Sequence, residues 1–139
     1  MRVSEVMHTP VVTCSPHRTV RDVCALMDRH GVGAVVVVHG DQVGGIVTDR
    51  DIAMRAIGNG LSGDVPIETV MTRNVACVRP TDDIADAERT MADRHVRRLP
   101  VVDGHGRLHG MVALDDVVRC IGAEVQDMSD VLARQAHRS

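Results

Sequence analysis

Apolar residues recur along this chain in two rhythms, and the same order of rhythms occurs twice. Val20, Val23 and Met27 fall at helical spacing, as do Ile84, Ala87 and Met91, so each set predicts one buried helix face. Behind each helix come two short β-branched runs, residues 33–38 then 43–47, and residues 98–102 then 108–112. These predict strands, with His39-Gly40-Asp41-Gln42 and Asp103-Gly104-His105-Gly106 as hairpin turns. Ahead of each helix, a short helical lead-in ending at Met7 or Met71 runs into an extended Val11-Val12-Thr13 or Val75-Ala76-Cys77. The breakers Ser15-Pro16 and Arg79-Pro80 follow. Thr19 and Thr81, with acidic residues close behind, supply helix start signals, and Gly31 ends the first helix. A second helix, over about residues 49–57 or 115–121, closes each copy.

The two copies superpose directly. Residues 67–102 laid over residues 3–38 place Val70 on Val6, Met71 on Met7, Pro80 on Pro16, Asp86 on Asp22 and Met91 on Met27. One inserted residue in a Gly-rich turn then brings Gly110 onto Gly45, Val112 onto Val47 and Asp116 onto Asp51. The fold class is therefore α/β, of the α+β kind: two tandem β-α-β-β-α repeats packed through their small sheets. The expected boundaries are 1–60 for the first repeat, 61–66 for a linker, 67–122 for the second repeat and 123–139 for an accessory helix or tail. Val125, Met128, Val131 and Leu132 keep helical spacing within that tail, which suits an accessory helix or a dimer contact. A copy of roughly 55 residues lies near the lower limit for an independent core, so neither half is expected to stand alone.

Composition narrows the chemistry. The chain of 139 residues contains no Phe, Trp or Tyr, so Val, Ile, Leu, Met and Ala must fill the core and no aromatic ring can stack on a ligand. A net charge of −3 and the absence of any run of five basic residues argue against nucleic acid as a partner. The longest apolar runs are too short to span a bilayer and the N-terminus lacks a secretory segment, so a cytoplasmic protein without membrane contact is expected. Cys14, Cys24, Cys77 and Cys120 are widely spaced and read as buried free thiols, with an intermolecular or regulatory disulfide as the alternative. His105 and His109 flank a hairpin without a third ligand, so a solvated turn is expected there and no metal. No nucleophile–base pair, metal cluster or phosphate-binding Gly loop is visible, and an enzyme is not expected.

The repeat order, the Val-Met lead-ins, the phrase His95-Val96-Arg97-Arg98-Leu99-Pro100-Val101-Val102-Asp103 and the run Gly45-Ile46-Val47-Thr48-Asp49-Arg50-Asp51 together resemble cystathionine-β-synthase-type (CBS) repeats. The resemblance covers residues 3–121. It implies a paired module with two clefts that holds AMP, ADP, ATP or S-adenosylmethionine as ligand, with no required cofactor. It further implies a homodimer and an unidentified effector protein as partners. In that family's pattern, Thr48 contacts phosphate and Asp51 the ribose hydroxyls, while the strand-to-helix junction at Thr48 points backbone N–H groups toward the phosphate. Thr48-x-x-Asp51 also matches a helix capping box, which would occupy both side chains with backbone donors. Arg98 stands where relatives reach phosphates between the clefts, or else is a solvated strand-edge charge. In the second copy Ala113 replaces the hydroxyl residue and only Asp116 keeps its place. One competent and one weakened cleft are therefore expected. Val12, Thr13, Val35 and Ile46 are the expected adenine walls of the first copy. The competing reading is an interaction protein with empty clefts that acts through dimerisation.

Overall fold

A computed structural model describes residues 1–138 of the chain. The first unit holds a 3₁₀ turn at Val3–Glu5, β1 (Thr13–Cys14), α1 (Val20–His30), β2 (Ala34–His39) and β3 (Gln42–Thr48). It closes with α2 (Asp49–Asp51), continued as a π turn over Ile52–Ala56 and a 3₁₀ turn over Ile57–Asn59. The second unit repeats the order with a 3₁₀ turn at Ile67–Thr69, α3 (Ile84–Arg94), β4 (Arg98–Val102), β5 (Leu108–Ala113) and α4 (Leu114–Arg138).

Local chemistry accounts for the helix ends. The Thr19 hydroxyl accepts the Asp22 N–H at 3.1 Å, and Gly31 takes the left-handed conformation (φ 62°) that closes α1. In α3 the cap is not Thr81 but Asp83, the residue aligned with Thr19. Its carboxylate accepts the Ala85 N–H at 2.9 Å, while the Asp86 carboxylate accepts the Asp83 N–H at 3.2 Å. Ile84 sets this start, because it is the first buried position of the helical face. His95 occupies the place of Gly31 with φ 54°, a left-handed conformation that costs a non-glycine residue about 1 kcal/mol.

The first sheet has the order β1-β2-β3, with β1 parallel and β3 antiparallel to β2, and the second pairs β4 with β5. The expected strand over residues 11–13 is shorter than its sequence suggests. Regular pairing starts at Thr13, with Val12 giving only its carbonyl to the Val36 N–H at 3.1 Å, and the second copy reduces the strand to one Val78–Val101 bridge. Both hairpins shift register at the same aligned place, between Val37 and Val38 and between Val101 and Val102.

The two copies exchange their lead-ins. Ile67, Val70 and Met71 open the second repeat but are buried in the core built by α1, β2 and β3. Val3, Val6 and Met7 open the first repeat and pack on the core built by α3, β4 and β5. Backbone pairing locks the exchange: Ile46 and Thr72 trade N–H···O bonds of 3.0 and 2.8 Å, and His8 and Met111 trade bonds of 2.7 and 3.1 Å. Val3 and Ile67 are wholly buried, and each such side chain contributes about 1.5–3 kcal/mol. Cutting the chain between the repeats would therefore strip both cores.

The tail is not a separate accessory element. α4 runs unbroken from Leu114 to Arg138, because no proline or cap interrupts residues 121–125 and Ala123 and Glu124 favour helix. Residue 139 lies outside the described residues.

Candidate ligand clefts

The exchange of lead-ins builds two hollows, each lined by the hairpin of one copy and the lead-in strand of the other. The first consists of two adjoining spaces of about 460 and 150 Å³ that share Ile46, Thr72, Val96 and Arg98. Ile46, Thr48 and Asp51 come from β3 and α2, and Asn74, Val75, Ala76 and Val96 come from the second copy. The second hollow, of about 320 Å³, sets Met111 and Ala113 of β5 against His8, Pro10, Val11, Val12 and Val32 of the first copy.

At the first cleft the capping box is formed. The Thr48 hydroxyl accepts the Asp51 N–H at 3.1 Å and Asp51 Oδ2 accepts the Thr48 N–H at 3.0 Å. The neighbouring N–H groups are also engaged, Asp49 with the Gly33 carbonyl at 3.0 Å and Arg50 with its neighbour's carboxylate at 2.8 Å. The open helix N-terminus expected at this junction is thus already satisfied, because Thr48 and Asp49 cap it locally. What stays available is the hydroxyl proton of Thr48, which can be donated, and Asp51 Oδ1, which faces Arg55 Nη2 at 3.7 Å.

Charge separates the two clefts. Arg50, Arg55, Arg94, Arg97 and Arg98 line the first, against Asp49 and Asp51. Arg55 donates to the Val70 carbonyl and the Thr72 hydroxyl, and Arg94 to the Asn74 carbonyl, so these two are held in place. Arg97 pairs with Asp115 at 3.4 Å on the surface. In the second cleft Arg98 is the single arginine, and Asp116, outside the lining, is hydrogen-bonded by His8, which is part of it. Arg98 therefore borders both hollows from the first position of β4.

The structure divides the residues singled out in the sequence. Ile46, Thr48, Asp51 and Arg98 come together in the first cleft. Val12 lines the second cleft, and Thr13 lines a separate space of about 400 Å³ with Val12, Leu26 and His30. Val35 has no exposed surface and belongs to the core, so it is no wall of either cleft. The first-copy wall set is corrected accordingly: Val75, Ala76 and Val96 stand opposite Ile46, where the sequence placed Val12, Thr13 and Val35. Only the lead-in exchange could have signalled this, and it leaves no trace in the repeat alignment.

The remaining candidates have partners or lie apart. His109 hydrogen-bonds Asp103 at 2.8 Å, and no group of three or more potential metal ligands converges among the described residues. All four cysteines are free, but only Cys14 is buried; burial pushes the Cys14 and Cys77 thiols up.

A family model described as CBS domain matches residues 3–58 and 67–123. The CBS domain-containing protein YhcV of Bacillus subtilis is 40% identical over 115 residues, spanning 83% of this chain and 81% of that protein. Among solved structures, a protein with CBS domains from Burkholderia ambifaria superposes with a TM-score of 0.80 at 31% identity, covering 88% of this chain and 95% of that one. A CBS domain protein from Pyrobaculum aerophilum, complexed with AMP, superposes with a TM-score of 0.77 at 27% identity, covering 84% and 89%.

Proposed function

The chain belongs to the CBS-domain family in two tandem copies, and from that premise we propose that it is a non-catalytic sensor whose first cleft binds an adenine nucleotide. The observation that carries the reading is the cleft's division of labour: a Thr48 hydroxyl and an Asp51 oxygen at one end, apolar Ile46, Val75 and Val96 as walls, and arginines around the rim. The AMP complex of the Pyrobaculum relative supports the ligand class. In this reading the adenine lies between aliphatic side chains, Asp51 Oδ1 accepts a ribose hydroxyl, and Thr48 and Arg98 meet phosphate. Repeats 1–60 and 67–122 act as one cytoplasmic unit across the 61–66 linker, form a homodimer and signal to an effector protein.

Equilibrium dialysis against adenosine, AMP, ADP, ATP and S-adenosylmethionine tests the assignment. Without Trp or Tyr the protein contributes little near-ultraviolet absorbance, so bound purine is read directly. Lacking aromatic stacking, the dissociation constant is expected on the order of micromolar, about −8 kcal/mol. Phosphorylated ligands should exceed adenosine, and Arg98→Ala should narrow that difference. Failure to retain any adenine compound at millimolar concentration would overturn the reading.

The second reading, an interaction protein with empty clefts, draws on the second cleft. There Ala113 removes the hydroxyl and His8 already holds Asp116.

A further inference from the structure

We infer that Arg98 couples the two clefts in opposition: its guanidinium serves a phosphate in either cleft, and a phosphate bound in the first withdraws it from the second. The inference rests on the sensor reading above and adds a regulation to it. The repeat alignment would supply two such cations, but Arg97 and Arg98 align with Gly33 and Ala34, so the first copy supplies none. The hairpin registers show the consequence at each cleft. Ala34 pairs with Thr48 across β2 and β3, and Arg98 pairs with Ala113 across β4 and β5. The hydroxyl and the guanidinium thus come from different copies. The first cleft receives both, whereas the second is left with Ala34, Ala113 and the shared Arg98.

The Arg98 side chain stands between the hollows. A Cβ at Gly33, which lines the second, would lie 3.5 Å from Arg98 Nη2 and 3.2 Å from Oδ2 of Asp49, which lines the first. Among the described residues nothing hydrogen-bonds or ion-pairs the Arg98 side chain, so it can turn to either side. Arg55 and Arg94, by contrast, are held by Val70, Thr72 and Asn74. A guanidinium forks onto one phosphate, and a second phosphate drawn to the same group meets the first as a like charge. The loss falls on the second cleft. Arg50 and Arg55 remain beside the first, while His8, the other basic residue of the second, is already bonded to Asp116. Linkage makes the antagonism mutual, because each phosphate weakens the other by the same factor.

Calorimetric titration of the full chain with AMP and with adenosine tests the coupling. The double variant Thr48→Ala/Asp51→Asn strips the first cleft of its hydroxyl and carboxylate and reports the second cleft alone. The second equivalent of AMP should bind wild type at least about tenfold more weakly than AMP binds this variant, the worth of one charge-assisted bond. Adenosine, which carries no phosphate, should show no such difference. Arg98→Ala should abolish the difference for AMP by removing the shared group. Ala34→Arg, which restores a cation at the aligned position, should abolish it by supplying a second and so tighten the second step. Equal AMP affinities in wild type and the double variant overturn the coupling and leave the sensor reading standing, as does a double variant that takes adenosine but no AMP. Adenosine weakened as much as AMP traces the antagonism to shape and overturns the role of Arg98. Wild-type protein that binds neither ligand at millimolar concentration overturns the reading and the inference together.

Discussion

The imidazole of His8, on the lead-in of the first repeat, hydrogen-bonds the carboxylate of Asp116 on the last helix of the second. Asp116 also pairs with Arg119 at 3.3 Å, so both of its oxygens are engaged. The aligned position in the other cleft is Thr72, which turns to Arg55 and makes no bond to Asp51, whose Oδ1 has only Arg55 at 3.7 Å. The two clefts thus differ by a cross-repeat latch as well as by Ala113. His8→Ala is expected to free Asp116 and strengthen adenosine binding in the second cleft about fivefold, equivalent to about 1 kcal/mol for a pair whose histidine is exposed. Calorimetric titration in an Asp51→Asn background isolates that cleft. An unchanged affinity would show that His8 does not compete with the ligand.

Asp51 serves the fold and, as proposed, the ligand, and two substitutions separate the roles. Asp51→Ala removes the acceptor of the Thr48 N–H and should cost about 1 kcal/mol of stability as well as about tenfold in nucleotide affinity. Asp51→Asn keeps a carbonyl acceptor for that N–H, so stability should return while affinity does not. Urea unfolding beside equilibrium dialysis reads the pair. Affinity restored by asparagine would reduce Asp51 to a cap.

Much of the architecture was readable because its signals are local. The helix faces of Val20, Val23 and Met27 and of Ile84, Ala87 and Met91 follow from spacing, and Gly31 marks a left-handed end. Thr81 misled because three residues that can cap, Thr81, Asp82 and Asp83, stand in a row, and packing of Ile84 decides among them. Val35 misled for a different reason. Val35, Val36 and Val37 are all wholly buried, so the central strand offers no polar–apolar alternation to tell cleft from core. The lead-in exchange is non-local: Met7 and Met71 align with each other, and only packing reveals that each belongs to the other copy's core. Half of each cleft wall was hidden with it.

Acid should unfold this protein partly through Asp103. The hydrogen bond from His109, reinforced by the His105 and Arg107 N–H groups, holds its carboxyl down at about 2, against an ordinary value of 3.8. Because the folded state binds this proton less readily, the stabilisation is complete above the ordinary value and disappears as pH falls from there to about 2. Asp103→Asn removes the titration, so the variant should lose less stability than wild type across that window. Urea midpoints at several pH values decide, and parallel curves would remove Asp103 from the acid transition.

Gly45 opens the run that resembles a ligand motif, yet its surroundings assign it to the lead-in exchange. A Cβ there would lie 2.5 Å from Met71 Sδ and 2.9 Å from the Thr72 carbonyl oxygen. Gly110 repeats the arrangement, with 2.7 Å to Met7 Sδ and 3.0 Å to the His8 carbonyl oxygen. A methionine side chain can swing away, but the Thr72 carbonyl is fixed by its bond from the Ile46 N–H at 3.0 Å. Gly45→Ala must therefore push the second lead-in off the edge of β3, at about 1–3 kcal/mol. Gly110→Ala should cost a similar amount at the edge of β5. Nucleotide affinity, measured at a temperature where the variants remain folded, should change less than stability does. Hydrogen exchange should locate the loosening at Ile46 and Thr72 in the first variant and at His8 and Met111 in the second. Loss of nucleotide binding by Gly45→Ala with no fall in stability would return the glycine to the ligand site.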